Sequence, residues 1–104
     1  MKREDARALA RTLMDAAGLT GWRFRFDNAR RRAGACTHGA RTISLSGPLT
    51  DLYDEDTIRG VILHEIAHAL VGPAHGHDAA WKRAARALGA PDSAPAKTIL
   101  SKKN

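Results

Sequence analysis

The stretch TIRGVILHEIAHALVGPAHGHDAAW, residues 57–81, decides how this chain is read. Thr57 to Val71 has the pattern of one helix: Ile58, Ile62, Ile66 and Leu70 recur every four residues as an apolar stripe. Asp54, Glu55 and Asp56 stand just before it, where negative charge complements the helix dipole, and Gly72-Pro73 ends it. His64 and His68 are four residues apart. On a helix that spacing puts both imidazoles on one face, about one turn apart, within reach of a single metal ion. The stripe places them toward the opposite side of the helix. Glu65 falls beside them, where a carboxylate can hold a water molecule and take its proton. The arrangement is the H-E-x-x-H pattern of zinc-dependent peptidases.

Zinc in hydrolases takes three protein ligands and leaves a fourth position open. A metzincin would carry glycine at 71 and histidine at 74, where this chain has Val71 and Ala74. A thermolysin-like enzyme would use a downstream glutamate, but Glu65 is the last glutamate in the chain. His75, His77, Asp78 and Asp92 remain. The run Gly72-Pro73-Ala74-His75-Gly76 reads as a turn that folds the chain back toward the helix. It brings His75 and His77 nearest the metal, and imidazole suits zinc.

HEIAHAL followed by GPAHGHDAAW resembles the SprT-like zinc metallopeptidases, the group that includes the Spartan DNA–protein crosslink proteases. In that family a third histidine follows the helix, commonly as H-G-x-x-[FW] or H-D-x-x-[FW]. His77-Asp78-Ala79-Ala80-Trp81 fits the second form. His75-Gly76 begins like the first but meets Ala79 where an aromatic is required. The resemblance therefore implies His64, His68 and His77 as ligands of one zinc ion, with His75 as second candidate for the third position. It implies Glu65 as general base, and a protein or peptide as substrate. Arg41 to Ser46 is similar to the strand that precedes the family's active helix. The resemblance spans roughly Leu9 to Leu88. Substrates that are DNA-bound or DNA-crosslinked proteins, with single-stranded DNA as a partner, are a further implication. The zinc ribbon and extra DNA-binding regions of larger members have no counterpart in these 104 residues.

The rest of the chain gives a small α+β expectation. Arg3 to Ala17 is helical, with Ala6, Leu9, Ala10, Leu13, Met14 and Ala17 on one face and Gly18 as the stop. Trp22 to Asp27 alternates aromatic and charged residues, as a half-buried strand does. Ala33 to Thr37 and Arg41 to Ser46 are two more strands, and Gly47-Pro48 breaks the last. Asp78 caps a final helix from Ala79 to Leu88, closed by Gly89 and Pro91. The expected fold is a zincin-like domain: an N-terminal helix, a three-stranded antiparallel sheet, the HExxH helix on the same sheet face, and a C-terminal helix. Residues 1–96 form one domain and 97–104 a basic tail. Arg41 to Ser46 is the expected edge for an extended substrate. Trp81, one turn beyond His77, is expected to pack His77 against the metal helix.

Composition agrees with a folded domain: 43% of residues are hydrophobic, and no apolar run approaches the ~18 residues that span a membrane. Cys36, the sole cysteine, can form neither an intrachain disulfide nor a zinc ribbon and reads as a small buried residue. These features point to the cytoplasm, with nucleoid association as an extension. Nine of the seventeen basic residues lie in the first 32 positions, within a net charge of +6. Arg23, Arg25, Arg30, Arg31 and Arg32, interleaved with Trp22, Phe24 and Phe26, are candidate nucleic-acid contacts; the alternative is the solvated face of a strand. Two other classes fit the motifs: a non-catalytic zinc-stabilised module that binds DNA or protein, with His75 as fourth ligand, and a basic nucleic-acid-binding domain.

Overall fold

A computed structural model describes residues 1–90. Seven elements follow in order: α1 (Arg3–Ala16), β1 (Arg23–Asp27), β2 (Gly34–Thr37), β3 (Thr42–Ser46), α2 (Gly47–Leu52), α3 (Glu55–Val71) and α4 (Ala79–Leu88). The tail and most of the exit segment lie outside the described residues. No helix among those described is long and apolar enough to cross a membrane.

The helix α1 buries Ala6, Ala10 and Met14, one residue per turn. The two alanines let it sit close against α3, and Met14 fills the core beyond them. Gly18, at φ 86°, turns the chain out of the helix. Arg11 then donates to the carbonyls of Leu19 and Trp22, at 2.9 and 2.8 Å, tying the helix to the start of β1. Phe24 and Phe26 point back to α1, where the Arg7 guanidinium lies over both rings.

The sheet has the order β1-β3-β2 and is mixed. The expected all-antiparallel arrangement is corrected: β2 and β3 form an antiparallel hairpin, but β1 runs parallel to β3, with Phe24 opposite Ile43 and Phe26 opposite Leu45. The cause is the connection through residues 28–33, which carries β2 past β3 to the far side of the sheet. Ser46 holds that connection down: its hydroxyl donates to the Ala29 carbonyl, and its amide to that of Ala33. Period-two alternation reports which face a side chain takes, not which strand is its neighbour.

This order also corrects the expected substrate edge. The strand β3 is central, and all five of its residues are buried. The edges are β1 and β2. The Ser46–Ala33 bond sets the antiparallel alternation, so Ala35 and Thr37 pair with β3 while the backbones of Gly34, which is buried, and Cys36, which is half-buried, point away from it.

Gly47-Pro48 starts a helix rather than merely ending a strand. Ser46 caps α2 by accepting from the Leu49 amide at 3.0 Å, and Pro48 sits in the first turn, where its missing N–H costs nothing. Asp54 caps α3 in the same way through the Thr57 amide at 2.9 Å. The apolar stripe of α3 is only part of its buried surface. Ile58, Val61, Ile62, Ile66 and Ala67 are buried, and so are Leu63, His64 and Glu65, whereas Leu70 is 46% exposed. The helix lies across β2 and against α1 and α4, covered nearly all round.

Candidate metal centre

His64 and His68 project from α3 toward α4, and His77 reaches them from the turn just before α4. The Nε2 atom of His77 lies 3.1 Å from Nε2 of His64 and 3.1 Å from Nε2 of His68. These three residues form the group able to hold a metal ion among the described residues. Zn–N bonds of about 2.0–2.1 Å put the nitrogens of a tetrahedral site roughly 3.3 Å apart, so the spacing fits. His75 is turned elsewhere: its Nδ1 pairs with Asp78 at 2.7 Å. Asp78 also caps α4 by accepting from the Trp81 amide at 3.0 Å, which fixes the helix start directly after His77.

Trp81 is fully buried and touches all three rings. It stacks on His68 at 5.4 Å between centroids and meets His64 and His77 edge-on at 4.8 and 4.6 Å. Its indole N–H donates to the His64 carbonyl at 3.3 Å. One aromatic side chain thus holds the three imidazoles together. Burial pushes the His64 imidazole down to about 3, with neighbouring His68 and His77 adding to the effect. Burial likewise pushes His68 down to about 4, helped by His77 and His38. Both rings are neutral at pH 7, the form that binds metal. A polar partner for a ligand's second nitrogen, usual around metal-bound histidines, is not found for His64: its buried Nδ1 makes no hydrogen bond among the described residues.

Glu65 is 4% exposed, and its Oε2 lies 3.9 Å from His64 Nε2. Burial pushes its carboxyl up to about 7, against the opposing charge of Arg32. Its back is covered by β2. A Cβ built on Gly34 would lie 2.8 Å from Val61 Cγ1 and 3.2 Å from Glu65 Cγ, so only glycine lets the strand come this near. Cys36 sits further along the same strand, half-buried, its thiol pushed up to about 12 by burial and by the nearby Glu65. His38, at the end of β2, donates from Nε2 to the His68 carbonyl at 2.9 Å.

Gly34 and His38 are the site residues that sequence reading missed. A glycine inside a strand pattern is a recognisable sign of close backbone approach; His38 has no local signal. Tyr53 is buried in the core, and Arg59 pairs with Glu55. Arg23 and Arg25 stand exposed on the sheet face opposite the helices. Arg32 pairs with Asp27 at 3.1 Å, and Arg30 and Arg31 are exposed on the 28–33 connection. The aromatic residues do not interleave with these cations: Phe24 and Phe26 take the helix-covered face.

The fold defines a class. The chain matches the crystal structure of the metallopeptidase zymogen of Pyrococcus abyssi abylysin with a TM-score of 0.68 at 14% identity, over 94% of this chain and 90% of that one. That likeness is one of fold. No curated protein matches the chain. The model of the SprT-like family matches residues 3–99, and the chain belongs to that family. Family and fold together support a metalloprotease-type function, and the three-histidine group a bound metal ion.

Proposed function

We propose that this protein is a zinc metallopeptidase that uses His64, His68 and His77 as metal ligands and Glu65 as general base. The observation that carries the reading is the convergence of three Nε2 atoms beside a buried carboxylate, next to an open strand edge. Zinc, when bound, supplies a Lewis acid that acidifies water and polarises a carbonyl. Glu65 orients the attacking water and takes its proton, then delivers a proton to the leaving amine. Its raised affinity for protons suits both roles near neutral pH. The half-buried edge of β2 around Cys36 is where an extended substrate pairs by strand addition. Trp81 keeps the three imidazoles aligned. His75 does not join the group of three histidines, which disfavours the purely structural zinc module.

The finer reading is that DNA-associated proteins are the substrates. The helix-free sheet face holds a shallow cavity of about 290 Å³ lined by Arg25, Arg32, Thr42 and Ser44 among others. Arginine forks and hydroxyls suit phosphate oxygens, and the lack of interleaved aromatics favours backbone contact over base stacking. The test is cleavage of a basic DNA-binding protein by the zinc-loaded enzyme, with and without single-stranded DNA. Glu65→Gln should keep zinc and lose cleavage. Cleavage retained in that variant eliminates Glu65 as the base, and cleavage indifferent to DNA leaves a general peptidase.

A further inference from the structure

We propose that His38 is a positioning residue that ties the edge strand β2 to the metal helix and so sets where an extended substrate lies relative to the three histidines. A carbonyl only accepts, so the 2.9 Å contact with the His68 oxygen assigns the proton to Nε2 of His38. That carbonyl stands in the last turn of α3. It accepts the Gly72 amide at 3.1 Å and has a second lone pair for His38. The His38 ring is held on two other sides. Cys36 Sγ lies 3.8 Å from its Nε2, and the Trp22 ring meets it edge-on at 6.1 Å between centroids.

The strand needs such a tie. With only four residues, β2 pairs on one side, and its hairpin turn contains Arg41 at φ 47°, a left-handed conformation unfavourable for a side chain of that size. Two contacts pin β2 to α3. Gly34 lies against Val61 and Glu65 at one end, and His38 holds His68 at the other. Seven helical steps from Val61 to His68 rise about 10 Å, and four extended steps from Gly34 to His38 about 13 Å. Strand and helix therefore run side by side over matching lengths, fixed at both ends. The half-buried edge at Cys36 lies between the two pins.

The substrate part of this inference rests on the peptidase reading; the tie itself does not. The experiment compares wild type, His38→Ala and His38→Gln in the full chain. Amide exchange is followed at Ala35 and Thr37, whose pairing with β3 reports fraying of the strand, alongside peptide turnover of the zinc-loaded enzymes. Glutamine keeps an N–H donor at similar reach. His38→Ala should exchange these amides at least tenfold faster and raise KM several-fold while kcat stays within twofold; His38→Gln should restore both. Unchanged exchange in His38→Ala, or a glutamine variant no better than alanine, overturns the tie. Faster exchange rescued by glutamine, in a protein whose wild type cleaves nothing, upholds the tie and removes the peptidase reading instead.

Discussion

Gly34→Ala is the sharpest test of how β2 meets the metal helix. The added methyl would lie 2.8 Å from Val61 Cγ1, 3.2 Å from Glu65 Cγ and 3.3 Å from the Ser44 carbonyl oxygen. Ordinary contacts begin near 3.4 Å, so Val61 or the strand must yield by at least about half an ångström. Val61 is fully buried and β-branched, with one preferred rotamer in a helix, and it cannot swing aside. The strand must move, and overpacking of this kind costs roughly 1–3 kcal/mol. Gly34 is not in a left-handed conformation, so alanine also recovers about 0.4–1 kcal/mol from the unfolded chain. A net loss of roughly 1–2 kcal/mol lowers Tm by about 5–15 °C in a domain of this size. Gly21→Ala is the control, since a Cβ there meets nothing within 4 Å. Melting curves of both variants should separate, with the Gly21 variant at or slightly above wild type. Because the methyl also presses on Glu65, peptide turnover of the Gly34 variant should fall at least tenfold, as misplacement of the proposed general base requires. A Gly34 variant that melts as high as the Gly21 variant and cleaves normally refutes the argument.

Trp81→Ala should cost about 3–5 kcal/mol and weaken zinc binding, because it empties the core where three imidazoles lean; denaturant melts and metal titration check both. Proton competition for the metal should be shallow. His64 and His68 are neutral well below pH 6, so in Glu65→Gln, where the raised carboxyl cannot release a proton, log zinc affinity between pH 5 and 6 should change by at most one per pH unit; a slope of two in that variant refutes their depressed values. In the zinc-free protein the Glu65 carboxyl is raised from 4.5 to about 7. The stability it lends is complete below pH 4.5 and lost as pH rises through 7, on the order of 3 kcal/mol, so urea midpoints should fall over that range relative to Glu65→Gln. The Cys36 thiol, at about 12, should resist alkylation at pH 8 until urea unfolds the chain; rapid labelling of the native protein would contradict its burial.

Helical periodicity made α1, α3 and α4 legible, because burial of one face leaves its mark every three or four residues. Asp54 and Asp78 announced their helix starts through the capping chemistry of a short carboxylate. The metal group was legible for a related reason: two ligands share one helix, where spacing in sequence is spacing in space. His77 needed the resemblance, since a residue brought back by a turn carries no such period. Sheet order was not legible. Alternation in β1 and β3 marks inside and outside, whereas the parallel pairing depends on a crossing of six residues and a serine that holds it down. The helix α2 was hidden because Gly-Pro reads as an interruption unless Ser46 is recognised as a cap. The burial of His64 and Glu65 was hidden too, because α4 covers the first and β2 the second from outside the helix that bears them.

The third nitrogen of the cluster comes from the turn before α4, not from the helix that bears the first two, and its place is set by Asp78 and Trp81 just behind it. Until α4 is seated, α3 offers a metal two imidazoles, which compete poorly for zinc. Seating α4 brings in the third and buries Trp81 in the same movement. Hold on the ion and the seating of α4 are thus one equilibrium: whatever loosens that helix loosens the metal, and a bound ion fastens the helix in return.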